Sequence, residues 1–167
     1  MTNKKILLAM LVIEFAFGMT VVGCDNSPEG DTWSNVTSLS QLDGTWNGWF
    51  TFTETEDGIT VRTTVDATQT INASAKTVSA SIIVTMEFSG ARIVLFWPFI
   101  KEAFEDEDGV TINDSTRTIT MTETINELLD DDAIAEMLDS GIQINQDGTK
   151  IKTPPMDGIP EIIMTKQ

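Results

Sequence analysis

From Gly44 onward, apolar and polar residues alternate with a period of two along three successive segments. Trp46, Phe50 and Phe52 share one side of the first segment, and the other side is mostly threonine. Alternation this long is typical of antiparallel strands with one buried face, and threonine suits a pleated, solvated face. The pattern therefore predicts a mainly β domain.

Turn signals separate these segments. Five of the eleven glycines follow an aspartate, in the pairs 43–44, 57–58, 108–109, 147–148 and 157–158. Asp-Gly supplies the positive φ angles that tight turns need. We expect an antiparallel meander of about seven or eight strands that closes into a barrel, because closure removes exposed edges.

Two helices interrupt the predicted meander. The first is a short helix near 98–106, which follows a strand predicted over 91–97 and has Pro98 in its first turn. The second is an inserted helix over about 125–139, where Leu128, Leu129 and Met137 are apolar and Gly141 follows the end as a C-cap.

The first strand opens with Gly44, Thr45 and Trp46, and this triplet resembles the Gly-x-Trp motif of lipocalins and related calycins. The resemblance implies a lipocalin-like barrel over 42–167, in which the tryptophan closes one end. Lipocalins also pack an arginine on that tryptophan, and the nearest candidate here is Lys166. The chain has no tyrosine, so the Thr-Asp-Tyr-type motif of the family is missing.

The N-terminal segment predicts secretion. Lys4 and Lys5 precede a mostly apolar run over 6–22, which is the layout of a signal peptide. The run ends in "VVGC", which resembles the lipobox of bacterial lipoproteins. That resemblance implies cleavage of residues 1–23 and attachment of diacylglycerol and further acyl groups, such as palmitate, at Cys24. The polar segment 24–41 then acts as a tether, and the protein is extracytoplasmic, anchored on the cell membrane or the outer membrane.

Charge and missing residue types restrict the function. The chain has 10 basic and 26 acidic residues, and removal of 1–23 leaves 8 and 25. Such a surface disfavours nucleic acid. Histidine is absent and Cys24 is the only cysteine, so His-based catalysis and zinc sites are excluded. We expect no catalytic residues, no metal and no cofactor, and hence no enzyme. A carboxylate-based hydrolase is the third possibility, because carboxylate chemistry needs no histidine.

The acidic clusters around Glu105–Asp108 and Asp130–Asp132 do not form a calcium-binding EF-hand loop. Such a loop needs oxygen ligands at its first and last positions and glycine at the sixth. Placing Gly109 sixth puts Phe104 first and Ser115 twelfth. These clusters are interpreted as solvated faces.

The stretch "RIVLFWPFI" at 92–100 is the most apolar one outside the signal. It has three interpretations: a lid for a hydrophobic ligand, a membrane- or partner-facing patch, or a strand covered by the 125–139 helix. The candidate ligand-binding residues are Trp46, Phe50, Phe52, Phe96, Trp97 and Phe99.

The expected function is binding or carrying a small hydrophobic ligand at the membrane. The alternative is a structural or interaction lipoprotein whose barrel is filled by its own bulky side chains. The sequence names no protein partner for either function.

Overall fold

A computed structural model describes residues 31–155 and 161–167. Cys24 and the whole predicted signal peptide lie outside these residues. The described part is mainly β, with nine strands, a single 3-10 turn and two α-helices. The strands are β1 (Trp33–Asn35), β2 (Gly44–Glu56), β3 (Ile59–Asn72), β4 (Thr77–Ser89), β5 (Val110–Asn113), β6 (Thr118–Leu128), β7 (Gln143–Asn145), β8 (Lys150–Thr153) and β9 (Ile162–Lys166), with the 3-10 turn at Leu39–Leu42, α1 at Ile93–Glu102 and α2 at Asp131–Asp139.

All nine strands belong to one antiparallel sheet, in the order β1-β7-β8-β9-β2-β3-β4-β6-β5. The expected meander of long strands is confirmed, since β2, β3 and β4 pair along their whole lengths. The expected closure is wrong for the described residues, because β1 and β5 are edges that do not pair with each other. The structure has more strands than the expected seven or eight because β1, which has only three residues, lies in the segment interpreted as a tether. Runs this short contain too few positions to show a period of two.

The two faces of the sheet differ in chemistry. One face, called the inner face, carries Trp46, Phe50 and Phe52 of β2, together with the apolar residues of β3 and β4 that are aligned with them. The other, called the outer face, is rich in threonine, and hydroxyls pair across β2 and β3 at Thr51 and Thr64, 3.1 Å apart. The predicted alternation is therefore confirmed.

Two separate hydrophobic clusters lie on the inner face. The Trp46 cluster lies where β2 begins, and helix α2 packs on it through half-buried residues such as Ile134 and Met137. Its buried members are Val36, Leu39, Leu42, Trp46, Ile71, Val78, Leu129, Ile144, Ile151 and Met164. The Trp97 cluster lies at the opposite end of the long strands, and its buried members are Met86, Ile93, Trp97 and Ile119.

Helix α1 corrects two predictions at once. Residues 91–97 were expected to form a strand, with a helix near 98–106, but the helix begins at Ile93 and ends at Glu102. Gly90 ends β4 with a φ of +110°, and a side chain there would place Cβ 2.4 Å from the carbonyl oxygen of Gly58. Ile93, Trp97, Ile100 and Phe104 then follow at helical spacing and pack into the Trp97 cluster. This burial outweighs the cost of Pro98, which lies inside the helix and not in its first turn.

Helix α2 is shorter than the predicted 125–139 helix. Residues 125–128 continue β6, because Leu128 aligns with Thr77 at the end of the β4 pairing. The Asp130 side chain then caps the helix by accepting a 2.8 Å hydrogen bond from the Ala133 backbone N–H. Leu129, which was expected within the helix, is buried in the Trp46 cluster just before it.

Candidate functional site

Trp46 is fully buried, and its polar atom is satisfied inside the protein. Its indole Nε1–H donates a 2.7 Å hydrogen bond to the carbonyl oxygen of Leu42, at the end of the 3-10 turn. Lys166 of β9 aligns with Trp46, and its Nζ lies 5.2 Å from the ring centroid. This is the position that the lipocalin resemblance implied for Lys166. The packed, hydrogen-bonded indole leaves no surface for a ligand.

Phe50 and Phe52 continue the inner face beyond Trp46. Their rings stack with centroids 6.2 Å apart and planes 19° apart, and both side chains are half-buried. Phe50 aligns with Val65 and Phe52 with Thr63. Neither ring belongs to the Trp46 cluster or the Trp97 cluster. The two rings therefore form a partly exposed aromatic strip between the two cores.

Glu54 is the next residue of β2 on the inner face. Its Oε1 is buried without a hydrogen-bond partner among the described residues. Burial raises the pKa of this carboxyl above its ordinary value, and the nearby Glu56 raises it further. An acid of this kind sits beside the aromatic strip and favours its neutral form more than a solvated glutamate does.

Trp97 of α1 is a core residue at the far end of the sheet. It is 7% exposed, and its ring lies 5.7 Å from that of Phe88, tilted by 56°. The indole Nε1–H donates a 2.8 Å hydrogen bond to Oδ1 of Asp114. This bond, together with nearby Lys101, holds the pKa of the Asp114 carboxyl below its usual range. Trp97 is therefore packed in a core with its indole N–H hydrogen-bonded, like Trp46.

The remaining aromatic candidates point away from both cores. Phe99 is 70% exposed, and Phe96 is 39% exposed with the Arg92 guanidinium 5.7 Å from its ring centroid. Val94 and Leu95 beside them are 66% and 69% exposed. These four side chains, Val94, Leu95, Phe96 and Phe99, are called the α1 patch. Val94 and Leu95 were not singled out from the sequence, because every residue from Ile93 to Trp97 is apolar and the pattern does not tell which of them face solvent.

The six candidate residues do not line one cavity. Trp46 and Trp97 are in different clusters, the rings of Phe50 and Phe52 lie in neither, and Phe96 and Phe99 face solvent. An open depression of about 660 Å³ lies elsewhere, beside the start of β2 and the β3–β4 turn, and contains none of the six. The Asp43 carboxylate that lines this depression is engaged within the protein, because its Oδ1 accepts a 2.8 Å hydrogen bond from the Ala73 backbone N–H.

Acidic residues follow directly after the α1 patch. Glu102 and all four residues of Glu105–Asp108 are exposed. The nearby Lys101 is already paired, with its Nζ 3.6 Å from Glu105 and 3.4 Å from Asp114. No group of three potential ligand side chains in the described part of the chain is arranged to hold a metal ion. Likewise, no helix within 31–155 or 161–167 is long and apolar enough to cross a membrane.

Comparison with known proteins adds no relative. No protein-family model matches the chain, and neither the curated proteins nor the solved structures provide a match.

Proposed function

We propose that this protein is an extracytoplasmic lipoprotein, anchored through Cys24 to the cell membrane or the outer membrane, that acts without catalysis by binding another protein. The anchor is supported by the "VVGC" sequence after an apolar run. The binding role corresponds to the second of the two functions expected from the sequence, in which the protein fills its own interior.

One observation favours interaction over ligand transport. The two buried tryptophans, Trp46 and Trp97, are packed in closed clusters with both indole N–H groups satisfied. By contrast, the large apolar side chains that reach solvent are concentrated on α1. Large exposed apolar patches on soluble domains mark interaction surfaces.

The anchor is tested in cells by replacing the cysteine with serine. We expect Cys24→Ser to abolish labelling by radioactive palmitate and to stop cleavage of the signal peptide. Ser27→Ala is the matched control and should leave both unchanged. Palmitate labelling of Cys24→Ser at the wild-type level contradicts the lipoprotein assignment.

A small hydrophobic ligand is the second candidate, and the strip of Phe50 and Phe52 favours it. These stacked rings are half-buried outside both cores, so an acyl chain or a flat apolar molecule has a surface to cover. The motif of Gly44–Trp46 and the contact of Lys166 with Trp46 support a lipocalin-like relationship for this function.

Native mass spectrometry of the soluble fragment 25–167 tests the ligand. The expected result is a mass increase with fatty acids or retinoids that Phe52→Ala reduces and Phe99→Ala does not. A bare protein mass, together with unchanged tryptophan fluorescence, contradicts a carrier function.

A further inference from the structure

The α1 patch has the chemistry of a docking surface for one kind of partner. We propose that Val94, Leu95, Phe96 and Phe99 bind a cationic amphipathic segment of another protein, such as a helix with an apolar side and a lysine- or arginine-rich side. This inference rests on the proposed binding function and specifies its partner.

Helix α1 is apolar on both its buried side and its exposed side. Ile93 and Trp97 already fasten the helix to the sheet, at 3% and 7% exposure. A helix that packs on one side normally shows polar residues on the other. Here Val94, Leu95 and Phe99 are each about two-thirds exposed or more. An apolar outward side on a helix that is already anchored indicates that a second surface covers it.

The charge around the α1 patch favours a basic partner. The patch is followed by the exposed acidic residues Glu102 and Glu105–Asp108, and the chain has a net charge of −16. Lys101 is paired with Glu105 and Asp114, and the Arg92 guanidinium over Phe96 is a single positive charge beside these five exposed acids. Anionic lipid and a second copy of this acidic chain are both repelled. A partner with apolar side chains beside basic ones complements both features.

The α1 patch lies far from the point where the described chain enters the fold. Arg92, just before α1, contacts the β2–β3 turn through its backbone N–H, 3.4 Å from the Gly58 carbonyl oxygen. Trp46 lies at the opposite end of β2, in the cluster that Val36 joins immediately after β1. The described chain thus enters the fold near the Trp46 cluster, whereas the α1 patch lies at the far end of the long strands.

Peptide binding to the full-length protein in phosphatidylcholine nanodiscs tests the proposal. The probe is a fluorescent amphipathic helix of leucine and lysine, and its partner probe replaces every lysine with glutamate. Fluorescence anisotropy is read against empty nanodiscs. We expect the leucine–lysine peptide to bind, more weakly as salt rises, and the leucine–glutamate peptide not to bind.

Three variants identify the surface. Leu95→Asp with Phe99→Asp should weaken binding by at least about tenfold. A variant without the acidic flank should also weaken peptide binding and reduce its salt dependence. It combines Glu105→Gln, Asp106→Asn, Glu107→Gln and Asp108→Asn. Trp49→Asp is the matched control, because Trp49 is 61% exposed on the outer face, and it should bind like the wild type. Far-UV circular dichroism shows that each variant is folded.

Equal binding by the wild type and the Leu95→Asp, Phe99→Asp variant overturns the proposal. So does a dimer in sedimentation that this variant dissociates, because the occupant is then a second copy. The intact mass of the same samples reports lipid on Cys24. Peptide binding without that lipid contradicts only the anchor, and lipid without peptide binding contradicts only the docking surface.

Discussion

Glu54 is an acidic residue among the apolar side chains of the inner face. It lies on the inner face of β2 in line with Phe50 and Phe52, and it aligns with Val61 of β3. The period of two places this acid on the apolar side, but the sequence does not tell whether its carboxyl reaches water. In the described part of the chain Oε1 is buried and has no hydrogen-bond partner, and burial raises the pKa of the Glu54 carboxyl.

We expect Glu54→Gln to stabilise the protein at neutral pH. At pH values below the unfolded-state pKa the Glu54 carboxyl is protonated in both states, so its raised pKa does not affect stability. As pH rises through the folded-state pKa, stability is lost because the buried carboxylate is disfavoured in the folded protein. Glutamine carries no charge, so it avoids this loss. The melting temperature of Glu54→Gln should exceed that of the wild type more at about pH 7 than at about pH 4. Glu127→Gln, an exposed residue of β6, is the control. The same difference at both pH values contradicts burial of the Glu54 carboxylate.

At the scale of elements, the beginning of α2 depends on one side chain. Asp130 lies in extended conformation after β6 and accepts a hydrogen bond from the Ala133 backbone N–H. This contact ends the strand pattern and starts the helix, and α2 then contributes Ile134 and Met137 to the cover of the Trp46 cluster.

We expect Asp130→Ala to lower the free energy of unfolding by about 0.5–2 kcal/mol, the usual loss for an N-cap aspartate. Asp132→Ala is the matched control, because that carboxyl is exposed in the first turn of α2, where it contributes only through the helix dipole. Urea denaturation measures both. An equal loss for the two variants shows that the cap hydrogen bond is not the cause.

The strands were predictable and the helices less so, for reasons visible in particular residues. In β2–β4 the period of two persists over thirteen or fourteen residues, so local pattern and tertiary burial agree. The run from Ile93 to Trp97 is apolar at every position, so strand and helix give the same pattern there. A helix is distinguished from a strand here only by the burial of Ile93 and Trp97 and the exposure of Val94 and Leu95.

The candidate site was predictable only in part for the same reason. The alternation placed Phe50 and Phe52 correctly on the inner face, whereas the exposure of Phe96 and Phe99 depends on how α1 rotates over the sheet. Closure of the sheet depends on which strands become edges. That is decided by contacts such as Trp33 with Asn145, which are far apart in sequence.

At the scale of the whole molecule, two hydrophobic clusters share one sheet. The Trp46 cluster and the Trp97 cluster have no buried member in common. Nevertheless β3 contributes Ile71 to the first and half-buried Val61 to the second, and β4 likewise contributes Val78 and Met86. Neither cluster can open without disturbing strands that support the other.

We therefore expect the described domain to unfold in one cooperative transition, although its core is divided. Leu42→Ala in the Trp46 cluster and Ile119→Ala in the Trp97 cluster remove side chains that are 1% and 0% exposed. Each should lower the free energy of unfolding by about 2–5 kcal/mol.

Urea titrations followed by tryptophan fluorescence and by far-UV circular dichroism should coincide for the wild type and for both variants. Ile83→Ala, on the outer face at 38% exposure, should cost less than about 1 kcal/mol. Two transitions, one shifted only by Leu42→Ala and the other only by Ile119→Ala, would show instead that the clusters fold independently.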